Sequence, residues 1–351
     1  MNSQINQPQP AWLRAGSNAA GQLPDDRRRA ALAAFLAESE SLAPLLMLHS
    51  LMRLEFCAED RWQIADRRQQ LRIAPCFDEL LQRWHLHLLD EGLLDSHDDD
   101  IWTLAPCAPA EYQLEQRIDD ARHRLRQLMN WLDDATPLAD ALFSRSMQME
   151  DWLRAPSLAK DWRPDLNLHQ LLHMPGIISD YFAGIAVSVL PLLLDESRSD
   201  VPSLLALGHT PPRLQDCLTR VAASVVPLDS ERSLADQLPG DSLHDAVVLS
   251  DLLNQPSPDH LLAELRSWLA PGAVLMLLQN TAERPLHWVT PAAVQAHARV
   301  GQLEAHCEHR CQQMLSQAGF ALLQSWPQAD SPMAFTGQRL FVARYEPSSY
   351  R

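Results

Sequence analysis

The stretch 203-SLLALGHTPPRL-214 runs through four apolar residues, reaches a single glycine and then meets two prolines in succession. A short apolar run leading into a turn and a helix start reads as a strand followed by a helix. That is the opening of a nucleotide-binding β–α–β unit, whose turn normally carries two or three glycines so that backbone can approach a ligand closely. Here Gly208 stands alone, and His209 and Thr210 bring side chains into the same space. Thr210 suits a helix cap and Pro211 a first helical position. Pro211 and Pro212 lack N–H groups, so the helix start loses two donors.

Working outward, the region 197–351 alternates strand and helix. Ser224–Leu228 and 245-DAVVLSDLL read as strands. Asp259–Leu269 reads as a helix with Leu261, Leu262, Leu265 and Trp268 on one face. Pro271-Gly272 stops it, and Ala273–Gln279 is a further apolar strand. A helix over Ala292–Ala318 is closed by Gly319, and two strands follow near Ala321–Trp326 and Gln338–Tyr345. Strands alternating with helices predict an α/β, mostly parallel, doubly wound sheet. The short connection in the last pair predicts an antiparallel strand at the end.

The N-terminal side differs. Residues 1–25 are rich in Gln, Asn, Pro and Gly and are expected to form a flexible tail. Residues 26–196 are expected to form a mostly helical domain. Ile118, Ala121, Leu125, Leu128 and Leu132 step by three and four along one helix face. Between Leu71 and Leu104, a helix ended by Gly92 and the alternating LLDSHDDDIWTL hairpin give a winged-helix-like outline. Asp95, Asp98, Asp99 and Asp100 at its tip argue against DNA, because they would face phosphates.

The chain has 351 residues, 46% of them hydrophobic, enough for two domains with sizeable cores. A formal net charge of −16 argues against nucleic acid or an anionic membrane as partner. No uninterrupted apolar run approaches the ~20 residues of a membrane helix. The N-terminus lacks the basic-then-apolar signal pattern, and six scattered cysteines show no framework spacing. A reduced, cytoplasmic protein is the expectation.

The second half resembles the class I methyltransferases that use S-adenosylmethionine. The resemblance rests on DAVVLSDLLNQ, HLLAELRSWL, APGAVLMLLQ, MLSQAGFALLQSW and RLFVAR in that order. The first half narrows it. The segments 73-IAPCFDELLQRWHLHLLDEGLL, RLRQLMNWLDDATPLADAL and 169-HQLLHMPGIISDYFAGIAVSVLPLLL look like the helical lid of the carbon-methyltransferase domains of polyketide synthases. O-methyltransferases with a winged-helix dimerisation domain are the nearest rival. The implied fold is a Rossmann-like methyltransferase domain with a truncated sheet, preceded by the helical lid.

Against that family, three features are altered. The glycine-rich cofactor turn is reduced to Gly208. The resemblance implies a histidine as general base in the loop after DAVVLS, but Asn254 stands there, and an amide takes no proton near neutral pH. It also implies a glutamate orienting that base at the end of the next strand, where Gln279 stands. Asp229, 21 residues beyond Gly208, is placed to hold ribose hydroxyls or simply to solvate a turn. Gly208, Asp229 and Asp251 are the vestigial cofactor positions. The stretch from Gly208 to Asp245 is too short for the family's two strands and two helices, so one β–α unit is missing. Candidate pocket residues are His173, Tyr181, His209, Asp251, Asn254, Gln279, His287 and Trp288.

The 306-HCEHRC cluster does not make one metal site. On a helix, Cys307 and Cys311 share one face and His306 and His309 another. His85 and His87, two apart, face opposite ways. No metal is expected. The leading expectation is a standalone, degenerate carbon-methyltransferase-like protein of polyketide or mixed peptide–polyketide biosynthesis, using no S-adenosylmethionine. Its partners would be an acyl carrier protein or synthase module and a bound acyl intermediate. One alternative is an active S-adenosylmethionine-dependent methyltransferase, with Asp229 on the ribose and His209 or His287 as base. The other is a non-catalytic partner, dimeric through its helical half.

Overall fold

The computed structural model describes residues 9–97, 100–132, 149–154, 176–196, 202–207, 212–221, 224–228, 234–238, 242–250, 252, 258–282, 284–289 and 307–346. The chain divides into two compact units. One comprises Met1–Pro24, Ile177–Ala282 and Ala305–Arg351, and the other Asp25–Gly176 and Glu283–Glu304.

The expected flexible tail is corrected. Helix α1 (Ala11–Ala20) forms there and buries Trp12 and Gly16. Its anchor is aromatic: Trp12 meets Trp326 edge-on with centroids 6.5 Å apart. A single tryptophan in polar, Gln-rich sequence does not announce a packed helix, which is why the reading missed it.

In the helical unit, α2 (Asp26–Arg53) is capped by Asp25, whose side chain accepts from the Arg28 N–H at 2.9 Å. It packs along α5. Strand β1 (Trp62–Gln63), α3 (Ile64–Gln70), α4 (Asp78–Asp90), β2 (Leu94–His97) and β3 (Ile101–Leu104) follow. The strands form an antiparallel sheet in the order β1-β3-β2. Helices beside a three-stranded sheet with a β2–β3 wing are the expected winged-helix-like unit. Helix α5 (Glu111–Met129) buries Ile118, Ala121 and Leu125, as its spacing predicts, and a short α6 (Met149–Arg154) completes the described helices.

The other unit begins again with α7 (Gly176–Glu196), followed by β4 (Ser203–Leu207), α8 (Pro212–Val221), β5 (Ser224–Leu228), α9 (Leu234–Gln237) and β6 (His244–Ser250). Then come α10 (Pro258–Leu265), β7 (Leu269–Asn280), α11 (Glu308–Gln317), β8 (Phe320–Trp326) and β9 (Gln338–Tyr345). The six strands are ordered β5-β4-β6-β7-β9-β8. β5, β4, β6 and β7 run parallel, while β9 pairs antiparallel with both β7 and β8. Among the described residues β5 is the only strand between Gly208 and β6, so the sheet is truncated as expected, with β5 as its outer strand.

Alternation along the strands sorts the two faces. Leu205, Leu207, Val247, Leu249, Leu275, Leu277 and Phe341 join α10 and α11 through Leu261, Leu262, Leu265, Met314 and Leu315 in one core. Trp326 stands opposite Leu340, of the other parity from Phe341, and so belongs to the other face. A Cβ on Gly16 would lie 2.4 Å from the Trp326 ring and 2.8 Å from Val189, which places α1 and α7 on that face.

Four readings need correction. Helix α7, assigned to the helical lid over 26–196, belongs to the sheet unit, because its apolar surface is buried there. The strand after α10 begins at Leu269, and Pro271-Gly272 lies inside it. The register jumps from His244↔Leu269 to Ala246↔Val274, so the Pro-Gly pair is absorbed as a bulge. The helix expected over 292–318 is not continuous: Cys307 is an extended N-cap and the helix runs Glu308–Gln317, while 292–306 lie outside the described residues. Finally, α2 and α7 are each long and apolar enough to cross a membrane by length and composition, contrary to the reading from apolar runs. Their most apolar windows are 61% and 67% buried within the protein, as core helices are.

Candidate functional site

Parallel strands of an α/β sheet present ligands at their carboxyl ends. Here those ends are Leu207 of β4, Ser250 of β6 and Asn280 of β7. Gly208, His209, Asp229, Asp251 and Asn254 directly follow strands in the chain, but they lie outside the described residues, as does His173. Pro212 is the first residue of α8, so the helix after β4 starts without an N–H at that position.

Gln279 is fully buried. Its Nε2 donates to the Asn280 carbonyl at 3.1 Å. It shares the parity of Leu275 and Leu277 and stands opposite Arg339 of β9. Arg339 is itself held: its Nη1 donates to the Pro327 carbonyl at 2.6 Å and its Nε lies 2.8 Å from Glu308. Gln279 is thus a neutral amide packed on the helix-covered core and offers no titrating group.

The next residue faces the other way. Asn280 is 2% exposed and stands opposite Gln338, which is 4% exposed. Ser250, paired with Leu278, has the same parity, so Ser250, Asn280 and Gln338 share one face at the sheet's carboxyl edge. The Ala282 N–H meets the Gly337 carbonyl at 3.1 Å and the Asn280 Oδ1 at 3.5 Å, whereas the Asn280 Nδ2 is buried with no hydrogen-bond partner among the described residues. Thr336, just before β9, donates to the Met333 carbonyl at 2.9 Å. The sequence reading stopped at Gln279; an amide run at a strand end was the available signal, and the parity that separates its members shows only in the register.

Tyr181 lies in the first turns of α7, and its hydroxyl donates to the Ala20 carbonyl at 3.2 Å. Burial pushes its pKa up, opposed by a hydrogen bond with Ser331, so the phenol keeps its proton. The structure therefore brings Tyr181 and Gln279 into the same unit. His287 and Trp288 fall instead in the 3-10 turn Pro285–Val289 of the helical unit. There the Trp288 carbonyl accepts from Trp84 Nε1 at 3.0 Å, and its ring meets His87 edge-on.

A second polar group sits at the amino ends of the strands. Ser203 Oγ and His244 Nδ1 are 2.7 Å apart, and the Asp245 carboxylate accepts from the Ser203 N–H at 2.8 Å. Burial lowers the His244 pKa, against the opposing charge of Asp245. These contacts fasten the starts of β4 and β6.

Among the described residues no group of three or more His, Cys, Asp or Glu side chains could hold a metal. Cys307 is the N-cap of α11, its Sγ accepting from the Arg310 N–H at 3.4 Å. Burial pushes the Cys311 thiol up to about 12, which makes it a poor ligand.

No protein-family model and no curated protein sequence matches the chain. Solved structures do. The CurJ carbon methyltransferase aligns with a TM-score of 0.65 at 15% identity, over 95% of this chain and 97% of that one. The DszA carbon methyltransferase aligns at 0.65 and 14%, over 97% of each. The carbon-methyltransferase domain of the citrinin polyketide synthase aligns at 0.62 and 14%, over 99% of this chain and all of that domain. Helical unit and truncated sheet are both spanned by these alignments, and the chain has the fold of the carbon methyltransferases.

Proposed function

We propose that this chain is a carbon-methyltransferase-like protein of polyketide or mixed peptide–polyketide assembly that no longer transfers methyl groups. It acts on, or docks to, an acyl intermediate carried by a carrier protein in the cytoplasm. The observation that carries the reading is Gln279: a buried, neutral amide at the end of β7 whose Nε2 donates to backbone and which takes up no proton near neutral pH. Asn254 in the preceding crossover is equally unable to act as a base.

The residues of the first crossover do not fit S-adenosylmethionine. One glycine is followed by side chains and by two prolines, and Pro212 opens α8 without a donor. Loss of one β–α unit removes a further part of the sheet edge beside β5. What is retained is the helical unit, the sheet and a neutral polar edge at Ser250, Asn280 and Gln338, which suit an uncharged acyl chain. Isothermal titration calorimetry of the full chain with S-adenosylmethionine is the direct test. No heat of binding is expected up to millimolar cofactor, and a micromolar Kd overturns the proposal.

A further inference from the structure

We infer that the start of α2 and the end of α5 form a docking surface for an acidic protein partner. The inference rests on the carrier-protein reading above and names the face of this chain that the carrier meets.

Both helices belong to the helical unit, and they run antiparallel. Arg124 pairs with Glu38 at 2.6 Å, whereas Glu115, earlier in α5, lies 3.9 Å from His49, later in α2. Arg27, Arg28 and Arg29 at the head of α2 therefore share one end of the pair with Arg122, Arg124 and Arg126 at the foot of α5. Trp131, just past α5, ties the two together: the Arg27 guanidinium lies 3.5 Å from its ring centroid. Trp131 is 44% exposed, and Arg27, Arg124 and Arg126 are exposed with it, so a partner can reach all four.

The sign of this end is opposite to that of the chain. Residues 25–29 and 122–131 hold six arginines and two aspartates, a net +4 in a protein of net −16. Glu38 and Asp119, the partners of Arg124 and Arg122, leave the group positive. An acidic partner is thus opposed by the net charge of the chain and attracted here. Helix stability does not account for the head of α2, because a helix amino terminus favours acidic side chains and three arginines stand there. Tryptophan and arginine are the side chains that concentrate binding energy at protein interfaces. With Arg27 stacked on it, the Trp131 indole is held in place before a partner arrives, which lowers the ordering cost of binding. The surface that fits is rich in Asp and Glu, its carboxylates meeting the arginines around the indole.

The test uses the full chain and a polyketide-synthase carrier domain loaded with a β-ketoacyl phosphopantetheine, with affinity measured by calorimetry at several salt concentrations. Wild-type protein is expected to bind, more weakly as salt rises. Arg27→Glu combined with Arg126→Glu is expected to bind at least tenfold more weakly, and Trp131→Ala to lose a similar factor. Arg61→Glu combined with Arg72→Glu makes the same change of net charge at exposed positions elsewhere in the helical unit, and is expected to stay within threefold of wild type. Equal losses in the two double variants reduce the effect to overall charge and overturn the surface. Wild-type affinity in Arg27→Glu with Arg126→Glu overturns it too, and either result leaves the carrier reading standing. No binding by wild type overturns both. If that double variant does not fold, Arg27→Gln with Arg126→Gln removes the charges alone, and at least a threefold loss is required of it.

Discussion

The indole N–H of Trp62 donates to Nε2 of His85 at 3.0 Å, and the other ring nitrogen of His85 bonds the Leu81 carbonyl at 2.7 Å. An indole can only donate, so Nε2 accepts and Nδ1 carries the proton. The imidazole is neutral, fully buried and ringed by Phe56, Trp62 and Trp102. A second proton would displace the Trp62 bond and place a charge among aromatic rings. Burial accordingly lowers the His85 pKa to about 4, against the opposing Leu81 hydrogen bond.

This sets an acid limit on the helical unit. The folded-state pKa is depressed below the unfolded value of 6.5, so the contribution is complete above pH 6.5 and is lost as pH falls towards about 4. The loss amounts to about 3 kcal/mol. His85→Gln is expected to be less stable at neutral pH and to show a shallower fall in stability between pH 6.5 and 4. Denaturant melts followed by circular dichroism at several pH values compare the two slopes; equal slopes refute the assignment.

Replacing Gly16 with valine is expected to destabilise the sheet unit by about 1–3 kcal/mol. Even its Cβ would stand 2.4 Å from the Trp326 ring and 2.8 Å from Val189, so α1 must lift or the indole must move. Tryptophan fluorescence should report the change around Trp12 and Trp326. A variant melting with wild type would show that α1 contributes nothing to the unit.

Thiol labelling should separate the cysteines by burial. Cys57 and Cys311 are each pushed up to about 12 by burial, whereas Cys107 is exposed. At pH 8, iodoacetamide followed by peptide mass spectrometry is expected to modify Cys107 before either, with Cys57 and Cys311 protected until denaturant is added. Early modification of Cys311 in the native protein would contradict its placement in the core.

Gly272, in the bulge of β7, has a φ of +83° and open space around its missing Cβ. Gly272→Ala is therefore expected to cost about 1 kcal/mol from backbone conformation alone, and Gly272→Asn less. Chemical denaturation of the pair checks the order.

Much of the sheet unit could be read from sequence. Ser203–Leu207 and Ser224–Leu228 form strands over the expected residues, because short apolar runs between turn signals have few other solutions. The Pro-Gly in β7 misled, since the same dipeptide ends a helix or opens a bulge, and only pairing with β6 distinguishes them. Helix α7 was assigned to the wrong unit because an apolar face does not name the surface it covers. At the site, the amide at Gln279 was visible as a departure from a resembled pattern. Asn280 was not: its meaning lies in its parity, its cross-strand neighbour and its unanswered donor, none of which is local in sequence.

Among the described residues β5 is the outer strand of the sheet, and Pro227 sits in it opposite Ala206. Proline has no N–H to give a ladder, so β5 carries one backbone donor fewer for any pairing strand. Leucine at position 227 would restore that donor, so such a chain would offer a more complete strand to any neighbour.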